Sequence, residues 1–201
     1  MELLRTLAAT AFAFACGSLP FSYWIARRFL RADLRGHADG NPGAWNVRRV
    51  GGTGWFVAAL VLDVAKGWLP VWVSRQLLGV RGWDLVPVAL APVLGHAFSP
   101  FLSWKGGKGL ASTFGVWLAL SMWKLPLVEL ATLLPLVRVL RPSGWAVACT
   151  MVTTGAALAW IWPKPAWWLA VWAGHSLLLL WTHRRDLAQR PRIGNARAPI
   201  G

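Results

Sequence analysis

The sequence predicts an all-α integral membrane protein, a single-domain bundle of about seven transmembrane helices spanning residues 1–201. Hydrophobic residues make up 56% of the chain and charged residues only 14%, against about 25% charged in a typical soluble domain. The apolar residues form long stretches separated by short basic segments. This composition excludes a disordered chain and argues against a soluble α/β enzyme.

The charge balance is strongly basic, with a formal net charge of +14. Such a balance also occurs in nucleic-acid-binding domains, but those need a polar surface to carry their basic patch. Here the basic residues lie between apolar stretches, so we expect a membrane protein without a nucleic-acid partner. Cys16 and Cys149 both lie in apolar stretches, and no cysteine or histidine spacing is typical of a metal site. We predict neither a metal nor a cofactor.

Seven apolar stretches are candidate membrane spans. They are Leu3–Phe29, Trp55–Val73, Leu85–Leu102, Leu110–Trp123, Leu125–Leu140, Trp145–Trp162 and Trp167–Trp181. A helix needs roughly 17–25 residues to cross a bilayer. The fourth and fifth stretches are short, and Pro126 and Pro135 lie in the fifth, so the count is six or seven. Tryptophans at many of the predicted ends are typical of headgroup-level anchors.

The first stretch has an alternative interpretation as a signal peptide, because Ala13–Ala15 resembles a cleavage box. Glu2 and a lone Arg5 make a poor positive leader, however, and the apolar run continues to Phe29. We therefore expect an uncleaved first helix.

The loop charges predict an orientation. With seven spans, fifteen Lys and Arg residues fall on one side and five on the other. Positive loops stay in the cytoplasm. We expect the N-terminus outside and the C-terminus in the cytoplasm.

The long polar segment Leu30–Gly54, after the first span, is a candidate functional loop. Basic cytoplasmic loops are common, so its charge alone says little. Its many Gly and Asn residues bend the backbone and donate hydrogen bonds, which favours a binding role.

A second candidate is Lys105–Gly109, read Lys-Gly-Gly-Lys-Gly, between the third and fourth spans. Glycines let backbone N–H groups approach an oxyanion, and a following helix N-terminus favours negative charge. The segment lacks the Ser or Thr of a Walker A loop. It is either a phosphate cradle or a tight basic turn.

Two further polar features are more ambiguous. Asp63 and Lys66 lie inside the second span, three residues apart, where ionisable groups are functional candidates by default. They can equally form a self-neutralised structural pair. His183 and two arginines end the last span, where cations also suit the helix dipole. The basic, glycine-rich segments fall on one predicted face, which suggests a site for a phosphorylated substrate beside the bilayer.

These residues resemble the bacterial glycerol-3-phosphate acyltransferases that use acyl-phosphate, the PlsY family. The resemblance covers nearly the whole chain, in order, and Lys-Gly-Gly-Lys-Gly with its upstream Gly-His is its most specific part. The matching positions are Asp33, Arg35, Gly40, Asn41, Pro42, Gly43, Ala44, Asn46, Arg49, Asp63, Lys66, Gly67, Gly95, His96, Phe98, Lys105, Gly106, Gly107, Lys108, Gly109, Ala111, Ser112, His183 and Arg184.

The chain departs from the family pattern at several positions. Asp39 replaces a serine, Ala38 a glycine, Trp45 a threonine and Asp186 an asparagine. Two of five positions that the family places around phosphate are therefore acidic. A carboxylate repels phosphate unless it is protonated or bridged by a cation.

The resemblance implies the site residues. It implies catalytic roles for Arg49, Lys108, His183, Asp186 and Asp39. It implies substrate or phosphate binding by Gly40, Asn41, Asn46, His96, Lys105, Gly106, Gly107, Gly109 and Ser112.

It also implies the reaction: transfer of an acyl group from acyl-phosphate to glycerol 3-phosphate, giving lysophosphatidic acid and phosphate in the bacterial inner membrane. The implied partners are these two substrates, the bilayer and an upstream enzyme that forms acyl-phosphate. No His-x-x-x-x-Asp dyad exists in the chain, so the base is His183, the substrate's own phosphate, or Asp39 or Asp186. The alternative functions are a catalytically degenerate relative that binds a phosphorylated lipid precursor or partner, and a small transporter.

Overall fold

The computed structural model describes residues 1–37, 39–161 and 165–194, and these are predominantly helical, as predicted. Ala38 and Trp162 lie outside the described residues. So do Lys164 and Arg197, which are among the loop charges counted for the orientation. The helices are α1 (Glu2–Ser18), α2 (Phe21–Phe29), α3 (Ala44–Gln76), α4 (Leu85–Ala97), α5 (Leu110–Ser121), α6 (Lys124–Val139), α7 (Gly144–Ala156), α8 (Ala166–Thr182) and α9 (Arg184–Leu187). Two residues each form β1 (Leu140–Arg141) and β2 (Arg192–Ile193), which pair antiparallel.

The first predicted span is two helices rather than one. The chain breaks between α1 and α2 at Leu19 and Pro20, where Leu19 takes an extended conformation. Proline cannot supply the N–H that a continuous helix needs at that position. The carbonyl oxygen of Leu19 accepts a hydrogen bond from Lys66 Nζ at 2.7 Å instead, so the break is satisfied by a buried side chain.

The second predicted span begins earlier than expected. Helix α3 starts at Ala44 and runs for 33 residues, so the prediction of a loop to Gly54 was wrong from Ala44 onward. The glycines there suggested irregular backbone, and the structure has two helical segments that meet at a kink. Gly52 forms that kink with φ at +78°, a conformation that glycine adopts without a steric penalty. The loop proper is therefore Leu30–Gly43, called the first loop below.

Three helical stretches are long and apolar enough to cross a membrane, judged over the described residues by length and composition. They are Glu2–Phe29, Ala44–Gln76 and Gly82–Leu102, and shorter apolar helices occupy Leu110–Ser121 and Gly144–Trp160. Apart from the break in the first span and the early start of α3, the helices begin within one residue of the predicted spans. Helix α4 ends five residues and α7 six residues before the predicted ends. The count of about seven crossings stays a prediction.

The chain divides into two compact units, Met1–Leu120 and Ser121–Gly201. In the first, α1 packs mainly against α4 and α3, and α2 packs against α3. Its core beneath the first loop includes Ala26, Leu34 and Val47, all fully buried. In the second, α7 packs against both α6 and α8. That all 201 residues form a single domain stays a prediction.

Large apolar side chains remain exposed on the outer faces of the helices in both units. Leu3 is 72% exposed and Val61 58% in the first unit, and Val152 is 68% and Leu177 71% in the second. A soluble monomer rarely exposes so many, because each costs free energy in water. Such faces are suited to contact with lipid.

Candidate active site

Two segments that the sequence analysis singled out lie against each other in the first unit. The first loop contacts the Lys-Gly segment (Lys105–Gly109) and the turn before it. Arg35 Nη2 donates a hydrogen bond to the carbonyl oxygen of Leu102 at 3.0 Å. The carboxylate Oδ2 of Asp39 lies 3.0 Å from Lys108 Nζ. Together with the start of α3, the two segments bring five predicted site residues into one cluster: Asp39, Asn41, Asn46, Arg49 and Lys108.

The cluster is held by hydrogen bonds around the side chain of Asn46. Its Nδ2 donates to Asp39 Oδ1 at 2.9 Å and to the carbonyl oxygen of Asn41 at 2.8 Å. Its Oδ1 accepts a hydrogen bond from Arg49 Nη1 at 3.2 Å. Asn46 is only 2% exposed, so its amide is fixed where it can orient both a cation and an anion.

The charge state of Asp39 follows from these contacts. Burial opposes its negative charge, but hydrogen bonds from Lys108 and Asn46 and the positive charge of Lys108 outweigh that effect. The pKa of Asp39 is therefore lowered from its ordinary value. The carboxylate is ionised at neutral pH and forms a true ion pair with Lys108.

The glycines of the Lys-Gly segment allow close backbone packing. The N–H groups of Gly106 and Gly107 donate to the carbonyl oxygens of Ala97 and His96, each at 3.0 Å. A Cβ at Gly106 would overlap the His96 carbonyl oxygen, and one at Gly107 would overlap the His96 ring. These two N–H groups are therefore engaged within the chain, and the two glycines position the segment; phosphate binding by the segment stays a prediction.

His96 and Ser112 support the Lys-Gly segment from inside the protein. Ser112 is fully buried and His96 is 8% exposed, with Ser112 Oγ 3.4 Å from His96 Nδ1. Ser112 Oγ also lies 3.1 Å from the carbonyl oxygen of Asp63, to which it donates. Both residues pack behind the segment and support it, and the expectation that they bind substrate stays a prediction.

Asp63 and Lys66 form a buried ion pair, with Lys66 Nζ 2.8 Å from Asp63 Oδ1 and both side chains at most 3% exposed. Ser22 Oγ donates to Asp63 Oδ2 at 2.6 Å. The ammonium group of Lys66 also donates a hydrogen bond to the carbonyl oxygen of Leu19. The pair joins α3 to the break between α1 and α2, which favours the structural interpretation of the two.

The remaining predicted site residues, His183 and Asp186, lie in the second unit at the start of α9. His183 is 4% exposed, and its Nδ1 lies 2.8 Å from the carbonyl oxygen of Leu179. Because a carbonyl oxygen only accepts, that contact places a ring proton on Nδ1. A Cβ at Gly144 would lie within 3.3 Å of both His183 and Asp186, so both residues border the first turn of α7.

Two features of the cluster were not predicted from the sequence. Arg35 was matched to the family motif but given no role, although it ties the first loop to Leu102. Its signal was a cation within a loop rich in Gly and Asn. Trp45 was noted only as a departure, and it packs edge-on against Phe56 with ring centroids 5.2 Å apart, beneath the guanidinium of Arg48. Nothing in the local sequence marked that aromatic contact.

Comparison with known proteins agrees with these features. Residues 7–190 match the family model described as glycerol-3-phosphate acyltransferase. The glycerol-3-phosphate acyltransferase of Desulfovibrio desulfuricans is 39% identical over 186 residues, covering 89% of this chain and 78% of that protein. The enzyme of that name from Laribacter hongkongensis is 34% identical and covers 92% of both chains.

Solved structures agree as well. The crystal structure of PlsY, described as an integral membrane glycerol 3-phosphate acyltransferase, in its glycerol 3-phosphate form has a TM-score of 0.82 at 30% identity. The match covers 91% of this chain and 90% of the PlsY chain. The lysophosphatidic acid form gives a TM-score of 0.80 at 29% identity. The chain belongs to the glycerol-3-phosphate acyltransferase family.

Proposed function

We propose that this protein is a membrane acyltransferase that moves an acyl group from acyl-phosphate to the primary hydroxyl of glycerol 3-phosphate. The products are 1-acyl-glycerol 3-phosphate and inorganic phosphate, in phospholipid synthesis. The observation that carries the proposal is the cluster of Lys108, Asn46 and Arg49, in which a lysine, an amide and a guanidinium meet beside an apolar helical bundle. Both substrates carry phosphate, and those donors are the groups that bind it.

The reaction requires one bond to form and one to break. The hydroxyl oxygen of glycerol 3-phosphate attacks the carbonyl carbon of acyl-phosphate. The bond from that carbon to the phosphate oxygen then breaks, and phosphate leaves with the electron pair. Lys108, Arg49 and the exposed Lys105 stabilise the negative charge that accumulates on the leaving phosphate.

The hydroxyl proton needs an acceptor, and we propose that it is a substrate phosphate. Phosphate esters have a second pKa near 6, so a phosphate dianion can take the proton at neutral pH. Asp39 is a poor candidate because its pKa is lowered. We propose His183 and Asp186 as further residues needed for transfer.

We propose the cytoplasmic leaflet as the location of the site. The lysines and arginines of the first loop and the Lys-Gly segment fit the positive-inside rule there, with the N-terminus outside and the C-terminus in the cytoplasm. Acyl-phosphate is a reactive mixed anhydride, so an enzyme that forms it must act upstream in the same cell. We propose that enzyme as a partner in metabolism.

The donor is tested by supplying purified protein with glycerol 3-phosphate and either acyl-phosphate or acyl-CoA, and measuring lysophosphatidic acid. We expect product with acyl-phosphate and release of one phosphate per product molecule. Product from acyl-CoA alone would overturn the choice of donor while leaving the acyl transfer in place.

One observation favours a second candidate, a catalytically degenerate relative that binds a phosphorylated ligand without turnover. The ion pair between Asp39 and Lys108 occupies the lysine that phosphate needs. Saturable binding of glycerol 3-phosphate with no product from either donor would favour this candidate.

A further inference from the structure

The carboxylate of Asp39 occupies a set of donors suited to an oxyanion. Its Oδ1 accepts hydrogen bonds from Asn46 Nδ2 at 2.9 Å and from the backbone N–H of Asn41 at 3.2 Å. Its Oδ2 pairs with Lys108 Nζ at 3.0 Å. An ammonium group, a side-chain amide and a backbone N–H are together the donors that hold a phosphate oxygen.

The same carboxylate is accessible enough to move. The side chain of Asp39 is 45% exposed and that of Lys108 is 24% exposed, so neither is enclosed in the core. A partly exposed ion pair contributes little to folding, and a bound phosphate offers the lysine a stronger partner. Asn46, by contrast, is fixed by burial and stays in place.

We propose that Asp39 is an internal anion of the phosphate site, which holds Lys108 and Asn46 when substrate is absent and is displaced when a phosphate group binds. The proposal rests on the proposed function in one respect, that Lys108 and Asn46 bind phosphate. Carboxylate and phosphate repel each other and compete for the same donors. Asp39 therefore sets how weakly this protein binds phosphorylated ligands, and hence its selectivity between anions of different charge.

The test is direct binding of inorganic phosphate to the purified full-length protein in lipid nanodiscs, by isothermal titration calorimetry. Asp39→Asn keeps the size and the acceptor for Asn46 but removes the charge. We expect its dissociation constant for phosphate to fall by at least about fivefold, the factor equivalent to about 1 kcal/mol. Asp39→Glu keeps the charge and is expected to bind phosphate within about twofold of the unmodified protein.

A matched control separates local competition from overall charge. Asp84→Asn makes the same change of net charge at the start of α4, in a loop that the charge pattern predicts on the opposite face. We expect no tightening in that variant. Equal tightening in Asp84→Asn and Asp39→Asn, or unchanged binding in Asp39→Asn, would overturn the proposal. Asp39→Ser provides a second uncharged side chain, and unchanged binding in that variant as well would overturn it even if Asp39→Asn were poorly folded.

Binding and turnover distinguish this inference from the proposed function. If Asp39→Asn binds phosphate more tightly but no variant makes lysophosphatidic acid, the internal anion is supported and the transferase proposal fails. If the unmodified protein transfers acyl groups and Asp39→Asn binds phosphate no better, the internal anion is rejected alone. In an active protein, Asp39→Asn is expected to lower KM for glycerol 3-phosphate or acyl-phosphate more than it changes kcat.

Discussion

Individual side chains decide which predicted residues do chemistry and which only support it. From the sequence, Asp39 was expected to oppose phosphate, with a role as a proton acceptor the less favoured alternative. The structure distinguishes the two roles because Lys108 and Asn46 stabilise its charge. We therefore propose that Asp39 acts through electrostatics, because its lowered pKa keeps the carboxylate ionised across the physiological range.

A pH profile tests that assignment. The pKa of Asp39 is lowered, so in the unmodified protein this carboxylate is charged throughout the range of about pH 6 to 8. The unmodified protein and Asp39→Asn are compared over that range. We expect kcat/KM of the unmodified protein and of Asp39→Asn to follow pH with the same shape, differing by a constant factor. Loss of an acidic limb in Asp39→Asn would show that Asp39 titrates during turnover and serves as a base.

The buried ion pair gives a stability prediction at the same scale. Asp63→Ala leaves the ammonium group of Lys66 buried without its carboxylate, which costs roughly 3–5 kcal/mol. The double variant Asp63→Leu with Lys66→Met removes both charges and is expected to recover most of that loss. Thermal unfolding in detergent measures both, with Asp84→Ala as a control at a partly exposed position. A double variant no more stable than Asp63→Ala would contradict a purely structural pair.

The helices themselves were largely predictable, and their interruptions were not. Apolar runs predicted the extents of α5, α6 and α8 closely, because a helix in lipid must be apolar along its length. Glycine density misled at the start of α3, since residues 44–51 are helical and a kink at Gly52 joins them to the helical segment that follows. The Lys-Gly segment was found by pattern, but the use of its N–H groups depends on Ala97 and His96, which no local spacing reveals.

Substitution at Gly107 tests the element-scale role of the Lys-Gly segment. A methyl group there meets the His96 ring, so Gly107→Ala must displace the segment, at a cost of about 1–3 kcal/mol. We expect a lower unfolding temperature and a severe loss of activity. Gly54→Ala is the control, because its Cβ would meet no atom within 4 Å and alanine favours a helix by about 0.5–1 kcal/mol. Equal effects of the two would refute the packing argument.

At the scale of the whole molecule, a shared phosphate site needs the first loop and the Lys-Gly segment to lie on one face of the bilayer. The charge pattern predicts this face as cytoplasmic, and the contacts of Arg35 and Asp39 agree with a common face. The fold class and the family could be predicted from the sequence because apolar runs and spaced motifs survive divergence. The pairing of Asp39 with Lys108 could not, because it depends on how a loop folds onto a distant segment.

Cysteine labelling in sealed inverted vesicles tests the arrangement. In a background of Cys16→Ala and Cys149→Ala, the variants Arg31→Cys and Ser103→Cys are expected to react with a membrane-impermeant maleimide. Arg81→Cys is expected to react only after the vesicles are opened. Opposite accessibility of Arg31→Cys and Ser103→Cys would exclude a shared site.

The most direct measurement is phosphate release from acyl-phosphate and glycerol 3-phosphate by purified protein, compared with Lys108→Ala. Removing one charged donor from a developing anion costs about a hundredfold to a thousandfold in rate, so we expect Lys108→Ala to lose at least a hundredfold while Lys124→Ala retains activity. Undiminished phosphate release and lysophosphatidic acid formation by Lys108→Ala would contradict the account.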